Sequence, residues 1–226
     1  MSVAPGRLIV LEGPEGAGKT TQLRRLDAWL EQHGVPHVNV REPGGTPLGD
    51  EIRRLLLEPG RHMDPRAEAL LFMASRAELM ADVVAPALAR GLVVLADRLF
   101  LSTYAYQIAG RGLPEGEIRQ ANALATRGIV PDLTLLLTIP AAAARARRER
   151  RGAPDRMEQA GHEFHARVER ALAMFVSRDW QTDHPECGPI VAVDGDGGVE
   201  EVFERVLAQL AARWPDTFTA LDESRS

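Results

Sequence analysis

"RLIVLE" (7–12) running into "GPEGAGKTT" (Gly13–Thr21) is the stretch that decides how this chain folds. Four consecutive apolar residues read as a strand buried on both faces. The residues after that strand fit G-x-x-x-x-G-K-[ST] position by position, through Gly13, Pro14, Glu15, Gly16, Ala17, Gly18, Lys19 and Thr20, with Thr21 extending it. Glycines at 13, 16 and 18 permit positive φ, so backbone N–H groups can converge on phosphate oxygens, and the helix that begins here adds its partial positive charge. Lys19 is the residue that reaches the terminal phosphates, and the Thr20 hydroxyl is a ligand for Mg²⁺. The helical run "TQLRRLDAWLEQHG" (21–34) supplies the required sequel to the strand. The loop does not identify what receives the phosphoryl group, because motors, switches, pumps and kinases all use it.

Outward from that point, "HVNV" (37–40), "LVVLAD" (92–97), "DLTLLLTI" (132–139) and "PIVAVD" (189–194) read as four further strands. Helical periods fill 18–33, 48–57, 65–90, 114–127, 140–151, 158–179 and 199–213. Alternation of this kind predicts an α/β fold, a five-stranded parallel sheet flanked by helices on both faces, in one domain over 1–226. Residues 215–226, "PDTFTALDESRS", have little periodicity and read as a frayed tail.

With 45% hydrophobic and 26% charged residues the chain is a globular one. A net charge of −5 gives no general attraction to a nucleic-acid polymer. No apolar run approaches the length that spans a bilayer, and no leader precedes the first strand, so a cytoplasmic protein with no membrane partner is expected. Cys187 stands alone, without a partner for a disulfide, and the six histidines form no metal-ligand pattern.

Three more segments carry chemistry. "REPGGTP" (41–47) follows the second strand, and its prolines and glycines set a tight loop at the strand's carboxyl end, where Glu42 projects. That segment alone is equally compatible with a solvated turn. In "LLFMASRAE" (70–78), Phe72 and Arg76 share one helix face, so a flat base can lie on the ring while the arginine donates to its carbonyl oxygen; a core ring beside a surface arginine is the plainer alternative. "VVLADRLFLSTYAYQ" (93–107) ends a strand on Asp97 and Arg98: an acid that resembles the one at a Walker-B strand end, which holds Mg²⁺ directly or through water, and a guanidinium that can grip phosphate bidentately; a surface ion pair is the other reading. Ser102, Thr103, Tyr106 and Gln107 come within about one and a half turns if that stretch is helical.

Phosphoryl transfer needs positive charge in the right place, and the glycine loop itself holds no arginine. The run "ARARRERRGAPDRME" (144–158) does, crowding Arg145, Arg147, Arg148, Arg150 and Arg151 against a Gly-Ala-Pro break suited to an arginine-rich lid over about 145–158. A solvated helix face relieved by Glu149 is the other reading.

Taken in order and spacing, "VLEGPEGAGKTTQ", "REPGGTPLGDEIRRLLL", "LLFMASRAE", "DRLFLSTYAYQ" and "RRERRGAPDRME" resemble thymidylate kinases of the bacterial kind, within the P-loop nucleoside monophosphate kinases, from about residue 7 to about 213. The resemblance implies transfer of the γ-phosphoryl group of ATP, with Mg²⁺, to dTMP. It implies that Glu42 lies near the deoxyribose, that Arg53 joins Arg98 on the monophosphate, and that Phe72 stacks on thymine while Arg76 meets its O4. Thr103 and Gln107 would contact the base edge and Tyr106 would exclude a ribose hydroxyl. Glu15 would lie near the acceptor's 3′ oxygen, and Arg147 or Arg151 would cover the moving phosphoryl. A homodimer packed through the helices near 67–89 is implied as well. Two departures stand out: Leu99 follows Asp-Arg where an aromatic or histidine is common, and Glu149 occupies the middle of the R-x-R-x-R-G lid pattern. Another monophosphate kinase, or an ATP-dependent switch with no small acceptor, are the competing functions.

Overall fold

In a computed structural model, the structure describes residues 5–149 and 155–218. Five strands, β1 (Arg7–Glu12), β2 (His37–Arg41), β3 (Val93–Asp97), β4 (Leu133–Thr138) and β5 (Ile190–Asp194), form one sheet in the order β2-β3-β1-β4-β5. Every neighbouring pair is parallel, in keeping with the helices between the strands and with interior strands apolar on both faces. Leu11 pairs with Asp97 and Arg41 pairs with Asp97 from the other side, so the carboxyl ends of β1, β2 and β3 finish level. The loops carrying "GPEGAGKTT", "REPGG" and "RLFLS" leave from that one edge.

Alternate residues of each interior strand feed different cores. Leu8 and Val10 of β1, with Val94 and Ala96 of β3, pack under Leu79, Phe100, Phe164, Val168 and Phe175. Ile9 and Leu11, with Leu95, Leu135 and Leu137, pack under Leu23, Leu26 and Leu30 of α1 (Lys19–Gln32) and Val206 and Leu210 of a late helix. The remaining early helices are α2 (Pro47–Leu57), α3 (Pro65–Leu79), α4 (Ala85–Ala89), α5 (Phe100–Thr103) and α6 (Glu115–Thr126). Beyond β4 lie α7 (Ala141–Glu149), α8 (His162–Met174), α9 (Arg178–Asp183), α10 (Val199–Arg213) and α11 (Pro215–Phe218).

Several element boundaries differ from the sequence reading. The span 65–90 is helical throughout, but Met80–Val84 widens into π geometry between α3 and α4. The conditional helix after Asp97 is real: α5 passes into a π segment, Tyr104–Gly110. The span 158–179 is not one helix. It opens with turns, becomes α8 only at His162, and stops before Ser177, whose side chain accepts from Trp180 N (3.3 Å) and caps α9. The frayed tail is corrected for its first residues: α11 is ordered helix, and Phe218, 1% exposed, stacks on Trp29. That aromatic closes the second core, which the lack of periodicity in so short a segment concealed.

Candidate active site

Glycine at three places lets the loop after β1 close tightly. Gly13, Gly16 and Gly18 all have positive φ (140°, 83° and 96°), and Gly18 is the N-cap of α1. A Cβ at Gly16 would lie 2.6 Å from Ala144 O, so the backbone of α7 rests directly on the loop. Lys19 is buried and curls back, donating to Gly13 O and Pro14 O (2.9 Å each). Burial, then Arg98, pushes its ammonium down to about 7, against the pull of Asp97, Glu12 and Glu15. Thr20 donates to Asp97 Oδ2 (2.8 Å), which sets a hydroxyl and a carboxylate side by side. These are hard oxygen donors of the kind Mg²⁺ accepts alongside nucleotide phosphates and water, so the pair fits that ion.

A cavity of about 200 Å³ joins this loop to the other motifs. Glu15, Lys19, Thr20 and Asp97 line it together with Glu42, Arg53, Phe72, Arg76, Arg98, Thr103, Tyr106 and Gln107. Every residue expected to meet the acceptor is thus at one cavity, although they come from four separate segments. Arg147 is elsewhere. Its guanidinium donates to Gly195 O (3.1 Å) and Gly197 O (3.3 Å) in the loop after β5, with Asp196 3.7 Å away. Arg151 lies outside the described residues. The loop after β5 abuts the glycine loop: a Cβ at Gly195 would be 3.2 Å from Ala17 O.

The arginines of the cavity fall into distinct settings. Arg76, 1% exposed, spends its donors on Glu42 (Nε to Oε2, 2.8 Å), Thr103 Oγ1 (3.0 Å), Leu99 O (2.9 Å) and Asn122 Oδ1. Neither reading of the isolated "LLFMASRAE" segment anticipated this: the arginine is core, not surface, and it already has partners. Burial raises the pKa of Glu42, with Arg76 opposing. Arg53 is partly buried, its charge weakened by burial and by Arg41, and it donates to Pro43 O (2.8 Å). Arg98 adopts φ 72° and donates to Gly13 O (3.1 Å) and Ser102 Oγ (2.9 Å), with its guanidinium 5.3 Å from the Tyr106 ring centroid. Burial disfavours the Arg98 charge, but Tyr106, Glu12, Asp97 and Glu15 outweigh it and raise its pKa.

Other neighbours of the cavity had been given no role from the sequence. Glu12 ends an apolar strand and is completely buried. Glu68, also completely buried, receives Gln107 Nε2 (3.0 Å), Arg111 (2.9 Å) and Arg156 (2.8 Å), whose combined pull lowers its pKa against the opposing effect of burial. Arg156 also donates to Leu56 O (2.6 Å), fastening the far side of the arginine-rich segment to α2. Asp155 and Glu158 line the cavity beside Glu15. Burial, Glu158 and Asp155 raise the pKa of Glu15 although Arg98 and Lys19 counter them, and its Oε2 has no hydrogen-bond partner. The one signal for these groups was acidic residues set where neighbours are apolar, which marks a buried charge needing a partner.

Among the described residues no group of three His, Cys, Asp or Glu side chains could hold a metal by itself, and no helix is long and apolar enough to cross a membrane. Residues 11–182 match the family model described as thymidylate kinase. The thymidylate kinase of Deinococcus radiodurans is 51% identical over 170 residues, covering 75% of this chain and 82% of that one. That of Leifsonia xyli subsp. xyli is 45% identical over 210 residues, covering 92% and 96%. That of Carboxydothermus hydrogenoformans is 40% identical over 198 residues, covering 88% and 93%. The chain belongs to the thymidylate kinase family.

Proposed function

We propose that this member of the thymidylate kinase family transfers the γ-phosphoryl group of ATP to dTMP, giving dTDP and ADP, at the cavity that joins the glycine loop to Phe72 and Gln107. The observation that carries the reading is that single cavity, where phosphate-binding and base-sized surfaces share walls. A protein that only bound and hydrolysed ATP would have no need of the second half.

In this reading the amides of Gly13–Thr21 and Lys19 hold the donor's phosphates, with the Lys19 ammonium turning from two carbonyls to an anion. Thr20 and Asp97 hold Mg²⁺, which screens charge between the donor's phosphates when bound. Arg98 and Arg53 take the acceptor phosphate. Phe72 supplies the stacking face; Thr103 and Gln107 address the base edge, and Tyr106, on the same cavity wall, rejects a 2′-hydroxyl. Arg76 reaches a base carbonyl by sharing an N–H already bonded within the protein, so it orients Glu42 and Thr103 as much as it reads thymine. Glu15 stands near the acceptor sugar and needs no base role, because the second pKa of a phosphate monoester is about 6 and its attacking oxygen is already largely unprotonated. Arg147 or Arg151 covers the moving group; for Arg147 this means leaving the carbonyls of the β5 loop.

The reading includes a cytoplasmic homodimer. Leu70 is 63% exposed on α3, and Ala67, Ala74 and Ala81 are exposed at helical spacing around it, an apolar stripe suited to a second copy. Sedimentation showing a monomer at micromolar concentration rejects that part alone. Coupled ADP release measured with dTMP, dUMP, UMP, AMP and no acceptor tests the whole. Turnover is expected with dTMP far above the others; ADP release indifferent to any monophosphate defeats the kinase reading.

A further inference from the structure

We infer that Glu12, to which neither the motifs nor the resemblance assigns a role, is a positioning residue for Arg98. The inference rests on the reading of Arg98 as a ligand of the acceptor phosphate. Glu12 ends β1 with its carboxylate completely buried, and it is not among the side chains lining the cavity. It cannot touch a substrate, so any effect on turnover passes through another residue.

Its contacts all lie on one turn. Oε1 accepts from Leu99 N (2.8 Å) and Ser102 N (3.0 Å), and Oε2 accepts from Ser102 Oγ (2.7 Å). Arg98 Nη1 is 3.8 Å from Oε2 and donates to the same Ser102 oxygen (2.9 Å). The turn needs such a hold. Arg98 sits at φ 72°, which disfavours a side chain, and α5 begins from Leu99, which has no capping group of its own. Glu12 therefore does two things from one carboxyl. One oxygen caps α5 from a different strand, and the other fixes, through Ser102 and by charge, the direction of the Arg98 guanidinium.

Glu12→Gln separates the two. The amide keeps one oxygen for Leu99 N and Ser102 N, but it presents an NH₂ where Ser102 Oγ and Arg98 met a carboxylate oxygen. The melting temperature is expected to stay within a few degrees of wild type. The KM for dTMP rises about tenfold while that for ATP moves less than about twofold. In an Arg98→Lys background the same substitution changes the dTMP KM less than about twofold, since the residue it positions is gone. A folded Glu12→Gln protein with unchanged dTMP KM, equal rises for both substrates, or the same tenfold rise in the Arg98→Lys background each overturns the inference. Should Glu12→Gln fail to fold, Ser102→Ala decides: a raised dTMP KM with steady ATP KM supports it, and an unchanged one overturns it. If the wild type uses a different monophosphate, the KM comparison is made with that acceptor and the inference stands or falls by it. Wild-type inactivity with every monophosphate sinks the functional reading and this inference with it.

Discussion

The cations around the base side of the cavity and those around its phosphate side are held in opposite ways. Arg76, Arg111 and Arg156 face the buried carboxylates Glu42 and Glu68. Lys19, Arg53, Arg98 and Arg147 lean instead on backbone carbonyls of residues 13, 14, 43, 195 and 197. A neutral carbonyl gives up a cation to a phosphate with a net gain in Coulomb energy, whereas a buried carboxylate left behind would carry an uncompensated charge. On the proposed reading, the first set stays in place and the second is taken over by phosphate. Carboxylates on the phosphate side stand off: Asp196 is 3.7 Å from Arg147 and Glu12 is 3.8 Å from Arg98, so each steers without closing a full ion pair.

The sharpest way to break this division is Arg76→Met. It strands Glu42, whose pKa burial already raises, and is expected to cost about 3–5 kcal/mol of stability in urea denaturation. Adding Glu42→Gln returns part of that loss, because no buried charge is then left without a partner. An Arg76→Met protein as stable as wild type would refute the idea that the base side is held by its charges. Lys19→Met probes the other side. Stability near neutral pH is expected to rise, since a buried charge that disfavours the fold is removed, but kcat falls about 10²- to 10³-fold in the ADP-release assay, since an aligned positive charge is lost at the transferring phosphate.

A smaller effect sharpens the contrast through pH. Burial and Arg98 hold Lys19 at about 7 in the nucleotide-free fold, well below the value of about 10.4 for an unfolded lysine. Between those values the unfolded chain binds more protons, so the Lys19 contribution makes folding stability rise with pH across that window. Lys19→Met flattens the rise. Binding of ATP restores the charge, so calorimetry at pH 8 in two buffers of different ionisation enthalpy should report proton uptake approaching one per site. No buffer dependence, or the same dependence in Lys19→Met, removes Lys19 from the account.

Much of the fold was legible because the interior parallel strands β1, β3 and β4 are apolar on both faces, and the two runs that are less so, β2 and β5, lie at the sheet's edges. The helix after Asp97 was legible only conditionally, since α5 starts with no capping residue beside it and borrows an acceptor from Glu12, far away in sequence. The break before α9 did carry a local signal in Ser177, but the buried Phe175 and half-buried Trp180 kept the apolar periodicity running through it. At the site, residues fixed by glycine spacing or by a strand's end were readable from their segments. Glu68 and Arg156 were not, because their meaning lies in a three-way contact among α3, the π segment and the far side of the arginine-rich run. Arg76 was found for its reach toward a base, yet its dense bonding to Glu42, Thr103 and Asn122 shows a keystone that spacing along one helix cannot reveal.

The contact between Gly16 and Ala144 O has a consequence for redesign. Any side chain placed at Gly16, however small, would force α7 off its seat, so the loop can be enlarged there only together with a shift of the turn that carries Ala144.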